Sequence, residues 1–233
     1  NDIADIDADR QHPKKKLRPL PSGKLPINVA RGFGVFLVLL VLPTAYFLAP
    51  ALSAVLTIYF VMMLAYTSRL KHIPILDVLV LATGFVLRVH SGVTLINVER
   101  FSPWLYVITT LGALYLGFGK RRAELALLQD GAKSHRRVLD GYTIPLLDQF
   151  ITIVSSTTIL AYSLYTFPAP NLPDNHTMML TIPFVIYAIF RYLYLIQVSQ
   201  VTGAPEEVVL TDRPLQITII LWGIAAMAVF YLS

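Results

Sequence analysis

The sequence predicts an all-α fold, a polytopic membrane helix bundle with seven transmembrane helices in this chain. Three observations predict it. Of its 233 residues, 55% are hydrophobic and 14% charged, whereas a soluble domain carries roughly 25% charged residues. From Gly32 to Ser68 there is a 37-residue run with no charged side chain, too long for one span of roughly 20 residues. And 16 of the 19 Lys and Arg residues fall in alternate connections between apolar stretches, the asymmetry expected when those connections face the cytoplasm. The net charge of +5 is therefore read as topology, not as affinity for nucleic acid.

The spans follow in order. Ala49-Pro50 divides the uncharged run into helices at about 27–48 and 51–69, and Pro43 kinks the first without ending it. The third span, about 73–93, carries Asp77 and Arg88. The fourth, about 103–119, starts after Ser102-Pro103 with Trp104 and Tyr106 as interfacial anchors, and a polar stretch over 120–142 follows it. The fifth, sixth and seventh spans lie at about 144–167, 178–198 and 214–232. Pro168, Pro170 and Pro173 mark the turn between the fifth and sixth. Cysteine is absent, which excludes a disulfide framework, a thiolate nucleophile and a cysteine metal site. The cytoplasmic connections, 10–31, 69–72, 120–137 and 199–213, bring the polar motifs to one side of the membrane.

The first of those motifs opens the chain. Asp2, Asp5, Asp7 and Asp9 crowd into nine residues, and Arg10, His12, Lys14, Lys15, Lys16 and Arg18 follow. On a helix, Asn1, Asp2, Asp5 and Asp9 share one face. Like charges at that spacing repel, and a divalent cation among them removes the conflict. Clustered hard oxygens suit Mg²⁺. Pro13 and Pro19 break the helix and leave the basic segment as a loop. The same charges also fit a solvated acidic helix end beside a positive juxtamembrane loop.

The second constellation runs from Tyr66 through Lys71 to Asp77, then to Gly84 and Arg88. Asp77, Gly84 and Arg88 lie on one helical stripe, with Arg88 about 16 Å deeper than Asp77. A charge inside a span is costly and faces a cavity or a partner. Arg88 is either a ligand for a buried anion or half of a structural ion pair, and the substrate-cavity reading is favoured. Lys71 fits a topology charge, and its place between Tyr66 and Asp77 also suits an anion clamp.

These motifs resemble the UbiA-type intramembrane prenyltransferase superfamily. Asn1-Asp2-x-x-Asp5-x-x-x-Asp9, with Arg10, His12-Pro13 and Arg18-Pro19, looks like its first aspartate motif; Tyr66 to Asp77 looks like its second. The resemblance covers essentially the whole chain and implies one transmembrane domain over 1–233. It also implies nine helices in the intact protein, the first two lying before residue 1. One departure is informative. The aromatic prenyltransferases of the superfamily carry a second carboxylate four residues after the first in motif two, and here that position is Leu81. The pattern looks more like the decaprenyl-phosphate phosphoribosyltransferase branch. Gly119-Lys120-Arg121-Arg122-Ala123-Glu124-Leu125, Phe190-Arg191-Tyr192, Gly203-Ala204-Pro205-Glu206-Glu207 and Asp212-Arg213 resemble further stretches of that branch, in the same order.

The resemblance implies a Mg²⁺-dependent transfer of phosphoribose from phosphoribosyl pyrophosphate to a polyprenyl phosphate, with the active site facing the cytoplasm from the plasma membrane. Asp2, Asp5, Asp9 and Asp77 would be the catalytic and metal-binding residues. Asn1, Arg10, Lys14, Arg18, Tyr66, Lys71, Arg88, Lys120, Arg121, Glu124 and Arg191 would bind the substrates. Homo-oligomerisation stays open. The alternative is a prenyltransferase moving a prenyl group from its diphosphate to an aromatic acceptor. A non-catalytic transporter or lipid-binding protein would be indifferent to Mg²⁺ and to loss of Asp2 or Asp5.

Overall fold

The computed structural model describes residues 2–11, 15–95, 103–129, 137–167, 176–198 and 205–232. Among them the regular structure is helical. In chain order the α-helices are α1 (Ile6–Gln11), α2 (Ile27–Leu48), α3 (Pro50–Ser68), α4 (Leu76–Val93), α5 (Pro103–Gln129), α6 (Ile144–Tyr165), α7 (Ile182–Gln197), α8 (Pro205–Thr211) and α9 (Arg213–Leu232). Short 3-10 helices stand at Lys15–Leu17, Leu70–His72, Arg137–Gly141 and Thr177–Thr181. Six of the described helical segments are long and apolar enough to cross a membrane. α5 has the length, at 27 residues, but its apolar part is diluted by threonines, glycines and tyrosines before it reaches Lys120.

Two units emerge: residues 1–98 with 131–141, and residues 99–130 with 142–233. In the first, α2 packs on α3 and α3 on α4. The helices behave as membrane helices should. In α2 the one side chain that the unit buries is Ala45, and Phe47 is 86% exposed. A helix apolar all round needs an apolar solvent, and only helices with internally satisfied backbone survive in one. Pro43 sits inside α2, as its sequence context predicts. Ala49 is extended and Pro50 occupies the first turn of α3, where its missing N–H costs nothing.

The connections that carry this unit's polar motifs lie where α2 begins, α3 ends and α4 begins. α1, the 3-10 helix Lys15–Leu17 and the turns over 18–25 precede α2. The 3-10 helix Leu70–His72 joins α3 to α4, and Arg137–Gly141 packs against it. The acidic segment is not one continuous helix: 2–5 form turns and α1 starts at Ile6. The Asp9 N–H still donates to the Asp5 carbonyl at 2.8 Å, so these two stand one turn apart. A run of aspartates is poor helix, because the side chains compete for local backbone donors. That favours the turn.

The entry to α4 is unusual. Ile75 has φ 71° and ψ −49°, and the Leu76 N–H donates back to the Pro74 carbonyl at 2.9 Å. This is a γ-turn of the rare, strained form. A β-branched residue with left-handed φ is an outlier, and such positions cost on the order of 1–3 kcal/mol unless their surroundings hold them.

In the second unit α5 packs along α6, α6 on α7 and α7 on α9, with α8 touching α5 and α9. α6 is capped by Thr143, whose hydroxyl accepts from the Leu146 N–H at 3.3 Å. Trp222 donates to the Tyr162 hydroxyl at 2.8 Å, and that hydroxyl pairs with Thr181 at 2.6 Å, so an apolar layer is pinned by a satisfied polar chain. α5 runs ten residues past the predicted end of the fourth span. Lys120 to Leu128 contains strong helix formers and no breaker, so the helix outlasts its apolar part.

Gly119 is where α5 meets its neighbours. A Cβ there would stand 2.5 Å from the Tyr192 hydroxyl and 2.8 Å from Pro205 Cγ. Gly119→Ala is expected to lower unfolding stability by about 1–3 kcal/mol, the usual cost of overpacking. Adding Tyr192→Phe should recover part of the loss, and thermal unfolding of the detergent-solubilised protein measures both.

Candidate active site

In the first unit the structure brings the two predicted constellations together. The buried Lys71 ammonium, in the 3-10 helix after α3, donates to the Asp5 carboxylate. Lys71 is 7% exposed, Asp9 5% and Asp77 0%. Lys and Asp are almost never buried without partners, because desolvating a charge is expensive. Arg18 reaches back from the basic loop to Asp9 at 3.2 Å and to Asp2 at 3.5 Å. Arg10 meets Asp7 at 3.3 Å with both side chains largely in water, a pair of little energetic weight. Tyr66 is buried in the last turn of α3, and Asp77 in the first turn of α4.

Each element has a local reason for its place. The chain leaves α3 at Arg69, makes one 3-10 turn that carries Lys71 inward, and reverses through Pro74-Ile75 into α4. Asp77 then lies in the first turn of α4, where the N-terminal end of the helix dipole favours negative charge. Asn1 and Lys14 lie outside the described residues.

Arg88 is placed further along α4. Its guanidinium donates to the Tyr59 hydroxyl at 2.6 Å and lies 5.4 Å and 5.3 Å from the ring centres of Tyr59 and Phe85. Aromatic faces and a phenol oxygen are partners that make a charged group tolerable within a span.

The remaining candidates belong to the second unit. Lys120 is exposed on α5. Arg121 is buried and pairs with Glu124 at 2.7 Å, one turn on. Arg191 grips Asp212 with two hydrogen bonds, Nε to Oδ1 at 3.2 Å and Nη2 to Oδ2 at 2.8 Å. Asp212 also accepts from the Leu215 N–H at 2.9 Å, so it caps α9 while tying it to α7. The Arg191 hydrogen bonds hold the Asp212 carboxyl below the usual carboxylate range; desolvation opposes them and the Leu215 N–H reinforces them. Sequence reasoning assigned no role to Asp212, nor to the pair Arg122–Asp148 at 2.5 Å. Their partners are 21 and 26 positions apart, beyond any local pattern.

The donor chemistry of the acidic segment fits a hard divalent cation. Every candidate ligand is a carboxylate, and the segment already collects positive charge, since Lys71 and Arg18 rest on three of those groups. Among the described residues no three acidic or histidine side chains stand together as a metal cluster; the carboxylates are distributed over basic partners.

Fold and site together define a polytopic membrane protein with buried acidic and basic groups gathered at helix ends. The chain belongs to the UbiA prenyltransferase family, which residues 1–208 match. It is 31% identical over 240 residues to a decaprenyl-phosphate phosphoribosyltransferase of Corynebacterium glutamicum, covering 100% of this chain and 70% of that protein. A protein of the same name from Mycobacterium tuberculosis is 32% identical over 222 residues, 95% of this chain and 72% of the relative. Among solved structures, a UbiA homologue from Archaeoglobus fulgidus bound to DMAPP and Mg²⁺ superposes with a TM-score of 0.71 at 17% identity. It is matched over 100% of this chain and 82% of that one. This last likeness concerns the fold.

The Arg191–Asp212 pair gives a pH dependence with a definite sign. Because the carboxyl is depressed in the folded state, its stabilisation is fully present above the ordinary aspartate value of about 3.9. It is lost as pH falls through the folded value. Asp212→Asn keeps an acceptor for Leu215 and removes the charge. Its melting temperature should sit below the parent's by a constant margin from pH 8 down to about 5, a margin that closes below about 4. A margin independent of pH throughout would exclude the charge as its source.

Proposed function

We propose that this chain transfers a phosphoribosyl group from phosphoribosyl pyrophosphate to a polyprenyl phosphate of the decaprenyl type. The product would be a lipid-linked pentose precursor for cell-envelope glycan. The observation that carries the reading is the extent of the likeness. Relatives named for decaprenyl-phosphate phosphoribosyl transfer match 95% to 100% of this chain at 31% to 32% identity. Leu81 agrees with it, standing where the aromatic prenyltransferases are expected to carry a second carboxylate.

Mg²⁺ held by Asp2, Asp5, Asp9 and Asp77, with Asn1 assisting, would neutralise the donor's pyrophosphate and stabilise it as a leaving group. The chain's own groups do the rest. Lys71 is a fixed cation in a water-poor setting, where an ammonium attracts phosphate oxygens far more strongly than in bulk solvent. Arg10 at the end of α1 and Arg18 beyond it supply further positive charge, and Lys14, between them in sequence, is assigned the same role. Lys120, Arg121, Glu124 and Arg191 are retained as substrate-binding residues on the second unit, Arg121 and Arg191 through the carboxylates that orient them. The acceptor oxygen is already anionic, so no strong general base is required. The protein contributes position: with donor and acceptor held, the ribose C1 passes through an oxocarbenium-like state and inverts. Arg88, far along α4 from Asp77, is assigned to substrate within the span, and Tyr66, in the last turn of α3, is likewise assigned to substrate binding. The site faces the cytoplasm of the plasma membrane, the side on which a soluble pyrophosphate donor is available.

The test is direct. Membranes carrying the protein, given phosphoribosyl pyrophosphate, a polyprenyl phosphate and Mg²⁺, are expected to form a lipid-linked pentose phosphate, separable by thin-layer chromatography. Asp5→Ala and Asp77→Ala should each reduce the rate by about 100-fold or more, the scale of losing charge stabilisation at a leaving group. Prenylation of an aromatic acceptor, with no lipid-linked pentose, would sink the phosphoribosyl reading in favour of the chemistry suggested by the DMAPP-bound homologue.

A further inference from the structure

Asp77 is completely buried, and its carboxylate can serve a substrate only if α4 begins at the right place and angle. The chain enters α4 through Pro74 and the left-handed Ile75. Strain of this kind persists when neighbouring structure over-determines it. The neighbour here is Gly141, the last residue of the 3-10 helix Arg137–Gly141. A Cβ on Gly141 would stand 2.2 Å from Pro74 Cγ and 3.1 Å from Pro74 Cβ. Val138 and Leu139, in the same 3-10 helix, are 1% and 2% exposed, so this segment is anchored and cannot simply retreat. Pro74 resists displacement too, since its ring fixes φ. The proline ring is seated directly on the Gly141 backbone.

We propose that Gly141 is a positioning residue for the transfer reaction. By admitting the Pro74 ring it holds the turn at Ile75, and that turn sets Lys71 before it and Asp77 after it for the donor's pyrophosphate. The inference rests on the proposed function for the identity of the donor. Gly141 touches no substrate; it acts through Pro74.

A reciprocal pair of substitutions in the full chain tests it. Gly141→Ala forces the ring outward by about 1 Å, from 2.2 Å to where ordinary contact begins at 3.4 Å. Misplacement of that size lowers kcat/KM for the donor by about 10- to 100-fold. KM for the polyprenyl phosphate should stay within about twofold of the parent, because a positioning defect at the donor does not touch acceptor binding. The melting-temperature gain produced by Mg²⁺ with inorganic pyrophosphate, which needs no turnover, should fall to less than half. Pro74→Ala removes Cγ and Cδ. In that background the added Cβ meets only the retained Cβ at position 74, at 3.1 Å, so Gly141→Ala should change the gain and the donor kcat/KM by no more than about twofold, a strongly non-additive double-mutant cycle. If Gly141→Ala alone does not fold, the comparison of Pro74→Ala with the double variant still decides. A Gly141→Ala protein with the parent's gain and the parent's donor kcat/KM overturns the proposal, as does a double variant that falls below Pro74→Ala by the same factor that separates Gly141→Ala from the parent. A parent that shows no gain with Mg²⁺ and pyrophosphate overturns the reading of the site itself.

Discussion

The Lys71–Asp5 ion pair is the interaction on which the site depends. It spans 66 positions of sequence and joins the acidic opening segment to the turn that launches α4. Both groups are shielded from water, Lys71 more than Asp5. A buried pair of this kind adds little net stability, because desolvation offsets attraction. Its effect is on arrangement. Removing Asp5 leaves the Lys71 ammonium where water scarcely reaches it, so alternative packings of the two segments are penalised. Two side chains thereby tie the acidic segment to the turn that precedes α4.

That economy follows from the solvent. The spanning helices expose apolar side chains such as Phe33, Phe36, Ile58 and Phe60, and lipid is as apolar as the side chains themselves, so burial supplies little drive for association. Charged groups are restricted to helix ends or to specific partners inside. Arg88 meets the second condition with Tyr59 and Phe85. The acidic segment, Lys71 and Asp77 meet the first. The same constraint that makes the helices legible as membrane spans therefore also determines where polar chemistry can occur.

How much could be read in advance follows this division. The boundaries of α2, α3, α6 and α9 fall within two residues of the spans expected from uncharged runs and prolines, since lipid leaves few other solutions. The pairing of the acidic segment with the Lys71 turn was readable as two motifs on one side of the membrane. What the pattern could not disclose was contact over distance. Arg191 carried a motif, but its bidentate partner Asp212 depends on how α7 meets α9. Ile75 was less accessible still: every local preference of a β-branched residue argues against left-handed φ, so only the surrounding fold explains it. The acidic stretch fell between these cases. Its charges were legible, its helical face only partly, because aspartates favoured turns over the first helical turn.

Segments around the charged motifs have neither a long apolar run nor a large core to fix them. Each unit meets the problem the same way. In the first, the Pro74 ring sits on Gly141; in the second, the Pro205 ring sits on Gly119. A glycine lets another chain segment approach its backbone to a distance that any Cβ would forbid, and a proline brings a rigid, pre-set surface to that contact. The pair gives dense van der Waals packing with little entropy left to lose, because the ring has few conformations to surrender. Such contacts are narrow in their tolerance: one added methyl must displace a ring that cannot rotate. Precision is thus obtained where apolar area is scarce. Both glycines lie next to segments carrying proposed site residues, Lys120 after Gly119 and, across the Pro74 contact, Lys71 and Asp77. A site whose chemistry rests on placing charges around a pyrophosphate is sensitive to shifts of about 1 Å, which is the scale on which these proline–glycine contacts resist motion.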